Sequence, residues 1–285
     1  MVKYNIHENG WTVILEDFDF STATQDDINH IARLIASNTL VVARNQQLTI
    51  KDEVRVAEMF KNPQRFYHDD ETSPDYNFKG CEIPGADRLF LRVTAELNED
   101  GLPGIAGHAS EMHWHSNDQT TPDRRPIVWL YSVKGSRGSR TSWNNNIMSY
   151  EELDEDKKRL LDPLKLTVLK NVSLREDEED GSARIDDYCP SLVMENIAGK
   201  KGMYFPFLQI SGFEGLPEEQ SREIMDWLAP YTIQEKFCYH HDWEDGDVIL
   251  TEQWLGIHKR WEFEEIEGRL LHRGAWDFPE QDYKN

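Results

Sequence analysis

His113-Trp114-His115-Ser116-Asn117 is the stretch on which the fold and chemistry of this chain depend. A histidine followed two residues later by an oxygen donor projects both side chains from one face of a strand, because alternate strand residues point the same way. Joined by an imidazole from a distant part of the chain, such a pair is one way to build an open-faced Fe(II) centre, leaving positions free for a co-substrate and dioxygen. Here the pair reads His115-x-Asn117, so an amide stands where a carboxylate is expected. The distant imidazole is His258, in Gly256-Ile257-His258, after a strand-like segment at 247–251 that the turn Glu244-Asp245-Gly246 introduces. Bringing 115 and 258 together requires two remote strands to meet at the mouth of one barrel.

A third segment, Arg269-Leu270-Leu271-His272-Arg273, carries two arginines four positions apart, hence on one face of a returning strand. A guanidinium aimed into a pocket holds a dicarboxylate through paired hydrogen bonds. Taken singly, each histidine reads equally as a hydrogen-bonded loop or surface residue, and each arginine as the partner of a nearby glutamate. The three segments acquire meaning together, as a mononuclear iron site beside an anion clamp.

The surrounding pattern supplies the strands. Short apolar runs bounded by turn residues recur at 89–93, 127–133, 166–169, 203–207, 248–251 and 270–276, which predicts a β-sandwich or barrel. Before them, the spacing of Ile28, Ile31, Ala32 and Ile35 predicts a helix over 24–38, with Thr24 and Asp27 at its start. A buried strand at 39–43 and a second helix from Thr49, with Val54, Ala57 and Phe60 inward, complete a β/α segment that braces one side. Helical insertions are expected from Ser149 to Leu161 and from Pro217 through Ile224, Trp227 and Leu228. The stretch 62–107, rich in Pro, Gly, Asp and Asn, reads as a long loop system beside the site. No linker or repeat divides the chain, so one domain is expected over 1–285, with the bracing segment at 1–62 and the core at 63–285.

Composition narrows the partners. Lys and Arg number 31 against 53 Asp and Glu, a net charge of −22, and no basic cluster tracks a phosphate backbone, which argues against nucleic acid and anionic membranes. The longest charge run, at 175–180, is too short to be a tail. An acidic shell repels small anions, so an anionic substrate must be caught by local arginines such as Arg269 and Arg273. Cys81, Cys189 and Cys238 are scattered and lack C-x-x-C spacing, as free thiols in a reducing compartment would be. The opening Met1-Val2-Lys3-Tyr4-Asn5 lacks the apolar run of a signal peptide, and no stretch reaches membrane-span length; a cytoplasmic protein is expected. The oligomeric state stays open, a homo-oligomer included.

In order and spacing these segments resemble the taurine dioxygenase family of Fe(II)/2-oxoglutarate-dependent oxygenases. Trp114-His115-Ser116-Asn117 resembles the family's Trp-His-Thr-Asp, and Gly138-Ser139-Arg140-Thr141 stands where the family has Gly-Gly-Asp-Thr. Pro190-Ser191-Leu192-Val193, with 199–204 after it, resembles its Pro-Leu-Val and Gly-Arg-Lys segments; Trp243-Glu244-Asp245-Gly246-Asp247 and Glu252-Gln253 resemble Trp-x-x-Gly-Asp and Asp-Asn before the distal histidine. The resemblance implies a mainly β fold with flanking helices around a double-stranded β-helix, or jelly-roll, core. It implies His115, Asn117 and His258 as the metal set for Fe(II), Thr141 and Arg269 as contacts for 2-oxoglutarate, and Arg273 as the residue facing the anionic group of the primary substrate. Glu111 lies near where family members contact substrate, and with Arg273 it suggests a substrate bearing both an anionic group and an amine. The implied activity is hydroxylation of a small, anionic or amino-acid-like molecule with dioxygen. Two alternatives stay beside it: a non-catalytic member that binds 2-oxoglutarate or another anion, and a halogenase-like enzyme, in which a small residue leaves room for a halide. Asn117, nearly the size of aspartate, ranks the second lower. Asp118 is a further carboxylate that a bulge could bring to the metal.

Overall fold

The computed structural model describes residues 2–66, 78, 80–118, 120, 122, 124–174, 183–264 and 267–284; the charge run at 175–180 and residues 67–77 of the long loop system lie outside them. Strands β1 (Tyr4–Ile6) and β2 (Val13–Leu15) precede helix α1 (Gln25–Asn38), strand β3 (Leu40–Ala43) and helix α2 (Ile50–Met59). Strands β4 (Leu91–Thr94), β5 (Ile105–Ala106) and β6 (Met112–His115) lead into the long β7 (Ile127–Lys134) and β8 (Arg140–Asn144). Helices α3 (Asn146–Glu151) and α4 (Glu155–Leu161) follow, then β9 (Leu166–Lys170), β10 (Arg184–Ile185), β11 (Val193–Glu195), β12 (Lys201–Met203), β13 (Ile210–Phe213) and helix α5 (Glu218–Thr232). The chain closes with β14 (Cys238–Asp242), β15 (Val248–Glu252), β16 (His258–Arg260) and β17 (Leu270–Trp276).

Two sheets form the jelly roll. The larger has the order β1-β2-β3-β15-β7-β17-β4-β5, and the smaller β14-β8-β16-β6. Leu40, Val42, Val93, Ile249 and Leu271 of the larger sheet meet Trp143 and Tyr239 of the smaller in one buried cluster. The alternate residues Val41, Ala43, Val248 and Leu250 face outward instead, into a second cluster with Ile28, Ile31 and Ile35 of α1 and Val56 and Ala57 of α2. Burial on both faces explains why β3 and β15 read as unbroken apolar runs. Both helices begin at the expected threonines: Thr24 and Asp27, and Thr49 and Asp52, form reciprocal capping boxes.

Three expectations change. The opening segment does more than brace, since β1, β2 and β3 are strands of the larger sheet. The helix expected over 149–161 is two helices, because Asn145 caps α3 and the Asp154 side chain, accepting from Lys157 N–H, caps α4. The strand expected at 203–207 ends at Met203; Pro206 has no N–H to continue a ladder, and Tyr204 and Phe205 enter a separate core with Leu161, Leu166, Leu192 and Leu228. That core belongs to the inserted segment from α3 to α5 and is separate from the core between the two jelly-roll sheets.

Candidate active site

The two imidazoles meet across a strand pair. In the antiparallel β6–β16 ladder His115 lies directly opposite His258, and their ring centroids are 4.1 Å apart. His258 is also opposite Trp143 on β8, whose ring stacks at 6.4 Å and limits the rotation of the imidazole. The ladder slips between His258 and Arg260, but both side chains still face the same interior cavity of about 100 Å³. Also lining it are Asn117, Thr141, Arg269 and Arg273. That volume lies below the roughly 300–1,000 Å³ of drug-sized ligand pockets and suits a small molecule.

Each side chain is held from behind. The His115 Nδ1 hydrogen-bonds the His113 carbonyl at 2.6 Å, which fixes the tautomer and turns Nε2 toward the cavity. Burial pushes the His115 imidazole down to about 4, with nearby Arg260 and Arg273 acting in the same direction against the His113 hydrogen bond. Burial, then the charges of His115 and Arg273, hold His258 well below the usual histidine range. Both rings are therefore neutral at physiological pH, with lone pairs available to a metal. Beyond β6, the Gln209 amide clamps the backbone of Ser116, accepting from its N–H at 2.8 Å and donating to its carbonyl at 3.1 Å. The Ser116 hydroxyl donates to the Gln253 carbonyl at 3.1 Å, tying the end of β6 to the loop that leads to His258.

The arginines enter from the opposite sheet. Arg269, Leu271 and Arg273 alternate into the cavity, because the bulge at the start of β17 leaves the alternation of that strand intact. Arg269 is buried, its guanidinium 4.8 Å from the Phe263 ring, and among the described residues its Nε and Nη1 have no hydrogen-bond partner. Burial pushes its pKa down to about 10. Arg273 donates from Nη2 to the Asp118 carboxylate at 3.3 Å. The Thr141 hydroxyl accepts from Trp243 Nε1 at 2.9 Å.

Glu111 is placed elsewhere. It does not line the cavity, and it pairs with Lys259 at 2.7 Å and His113 at 3.0 Å. Trp143, Trp243, Thr251, Gln253 and Arg260 are among the cavity-lining residues to which the sequence assigned no site role. Arg260 had a signal: it stands two residues after His258 on the same strand, so alternation aims it inward. It donates to the Ala106 carbonyl at 2.5 Å and the Ser110 carbonyl at 2.7 Å and so anchors the loop before β6.

Among the described residues no group of three or more His, Cys, Asp or Glu side chains is arranged to hold a metal ion. The donor set is instead two neutral imidazoles with the Asn117 amide at the rim, and among the described residues no hydrogen bond ties that amide down. Such a set fits a divalent metal in composition, since amide oxygen and imidazole both coordinate first-row ions, but it brings no negative charge. The orphaned Arg269 guanidinium behind it fits the distal carboxylate of a diacid.

Comparison with known proteins places the molecule among the dioxygenases: the model of the family described as "Taurine catabolism dioxygenase TauD, TfdA family" matches residues 8–276. The chain belongs to that family. It is 22% identical over 268 residues to the alpha-ketoglutarate-dependent 2,4-dichlorophenoxyacetate dioxygenase of Cupriavidus pinatubonensis, covering 92% of each chain. It is 23% identical over 204 residues to pentalenolactone F synthase of Streptomyces arenae, covering 64% of this chain and 67% of that one. Among solved structures, a taurine dioxygenase from Burkholderia xenovorans superposes with a TM-score of 0.74 at 16% identity, over 96% of this chain and 89% of the other. The structure of AAD-2 in complex with Mn(II) and N-oxalylglycine superposes at 0.75 and 15%, over 99% and 98%. An alpha-ketoglutarate-dependent dioxygenase follows, with a metal centre, a small-molecule substrate and dioxygen as reactant. Among the described residues no helix is long and apolar enough to cross a membrane.

Proposed function

We propose that this chain is an Fe(II)- and 2-oxoglutarate-dependent dioxygenase that hydroxylates a small anionic substrate. The observation that carries this is the direct opposition of His115 and His258 on paired strands, with a buried guanidinium, Arg269, whose Nε and Nη1 have no hydrogen-bond partner among the described residues, in the same cavity. Bound iron and 2-oxoglutarate would supply the oxidising power, through decarboxylation of the diacid coupled to oxygen insertion into the substrate. The protein holds and orients: His115 and His258 donate imidazole nitrogens, Asn117 an amide oxygen, Arg269 pairs with the distal carboxylate, and the Thr141 hydroxyl, oriented by Trp243, donates to a diacid oxygen. Apolar walls from Val128, Leu130, Trp143, Ile257 and Leu271 exclude water around them.

Arg273 would receive the anionic group of the primary substrate, which takes the place of Asp118 on that guanidinium. A carboxylate substrate also agrees with relatives named for 2,4-dichlorophenoxyacetate and (S)-phenoxypropionate. Asn117 gives a second reading some support: a chain that binds the diacid as a ligand without turnover. Halogenation ranks below both, because the Asn117 side chain lines the space a halide would need.

Anaerobic addition of Fe(II) and 2-oxoglutarate separates the first two. A visible metal-to-ligand charge-transfer band, followed by succinate release when oxygen is admitted, is expected. Diacid binding with no band and no succinate would replace the dioxygenase by the ligand-binding reading.

A further inference from the structure

The charges around the cavity are one-sided. Three guanidinium groups, Arg260, Arg269 and Arg273, line it together with two imidazoles, and among the described residues no Asp or Glu lines it. Asp118, a described carboxylate in contact with the lining, is engaged by Arg273, with its backbone in the left-handed region at φ 54°. Without metal, such a site repels a divalent cation and attracts a dianion. Two features prepare it for the dianion in advance. Among the described residues the Arg269 Nε and Nη1 have no hydrogen-bond partner, so a carboxylate would satisfy donors already desolvated by the fold. The His115–His258 pair is set by strand register and the His113 carbonyl, so no ion is needed to assemble it.

We infer that metal and diacid enter this site as a coupled pair, with 2-oxoglutarate binding the metal-free protein and itself supplying the anionic oxygen donor that Asn117 does not. An aspartate at 117 would attract the cation first, because it places a full negative charge in the same cavity as the two imidazoles. The amide removes that attraction and leaves the arginines in control. Each ligand then raises the affinity of the other by the same factor, as linkage requires. Concentrations of the co-substrate, not of the metal alone, set how much of the protein is loaded. The inference rests on the dioxygenase reading above for the identity of the diacid.

The test needs no turnover. Chelator-stripped full-length protein is titrated calorimetrically with 2-oxoglutarate, and Mn(II) binding is then followed by the EPR signal of the free ion, with and without saturating diacid. Measurable diacid binding without metal is expected, and so is a Mn(II) affinity raised roughly tenfold or more by the diacid. Asn117→Asp should take Mn(II) alone more tightly and shrink that factor. Equal Mn(II) affinity with and without diacid in the natural protein overturns the coupling, and a chain that ignores the diacid until metal is present overturns binding of the diacid to the metal-free site; both leave the dioxygenase reading intact. Failure to bind either ligand in any order removes both. The natural chain alone decides the matter if the variant does not fold.

Discussion

At the level of single residues, Arg269 shows how function opposes stability. A guanidinium buried with two nitrogens that have no hydrogen-bond partner among the described residues carries a desolvation cost that its contact with the Phe263 ring offsets only in part. Arg269→Met keeps much of the volume and removes the charge, so the ligand-free protein should gain about 1–2 kcal/mol, read as a higher urea midpoint. The same change should weaken 2-oxoglutarate by about 100-fold, roughly 2.7 kcal/mol, because the distal carboxylate loses its partner. Lower stability with undiminished diacid binding would make Arg269 a packing residue over Phe263 instead. Residue type and alternate spacing in the sequence were enough to single out His115, His258, Arg269 and Arg273, which the fold brings to one cavity. Glu111, singled out by position along the chain alone, lies outside the cavity lining and pairs with Lys259, a contact that no local pattern records.

Among the elements, β15 shows what two-residue alternation decides. Thr251 and Gln253 point into the cavity, and Glu252 between them points the other way, where its carboxylate accepts from Asn196 Nδ2 at 3.1 Å. Burial raises the Glu252 carboxyl to about 8 against that hydrogen bond. The native state therefore holds a proton that the unfolded chain has already released above its ordinary value of 4.5. That contribution to stability is full below the unfolded value and is lost as pH rises toward the folded one, by up to about 1.4 kcal/mol per unit. Urea midpoints between pH 5 and 8 should fall more steeply for the natural chain than for Glu252→Gln, and parallel profiles would mean that Glu252 folds ionised. The loop after β15 makes a second, steric demand. A Cβ on Gly256 would sit 2.7 Å from the Asn144 carbonyl oxygen, where Asn144 also accepts from Ile257 N–H through its side chain at 2.8 Å. Gly256→Ala should cost about 1–3 kcal/mol and, by displacing His258 two residues on, weaken Mn(II) binding. A destabilised variant with unchanged Mn(II) affinity would show that the loop shifts without moving the imidazole. In the sequence, strands buried on both faces and helices with capping boxes were legible because their signals are local. The division of α3 from α4 depends on competing caps at Asn145 and Asp154, and the stacking of Trp143 on His258 depends on a strand pairing that no local pattern records.

For the whole molecule, the net charge of −22 and the cationic cavity act on an incoming dianion at different ranges. Far from the protein, 2-oxoglutarate experiences the acidic surface and is repelled; inside, on the proposed reading, it would meet Arg269 in a low-dielectric pocket where pairing is strong. Salt separates the two ranges. The Debye length falls from about 30 Å at 0.01 M to about 10 Å at 0.1 M, so added salt removes the long-range repulsion well before it weakens buried pairs. The association rate of the diacid should therefore rise severalfold over that interval while its dissociation rate changes little, and stopped-flow quenching of the cavity tryptophans Trp143 and Trp243 can follow both. The opposite sign, an association rate that falls with salt, would mean that the arginines project their field beyond the acidic shell and steer the ligand from a distance. Because rate and affinity respond through different charges, the Arg269 substitution should leave the salt dependence of association in place while raising dissociation, which separates capture by the cavity from approach to it.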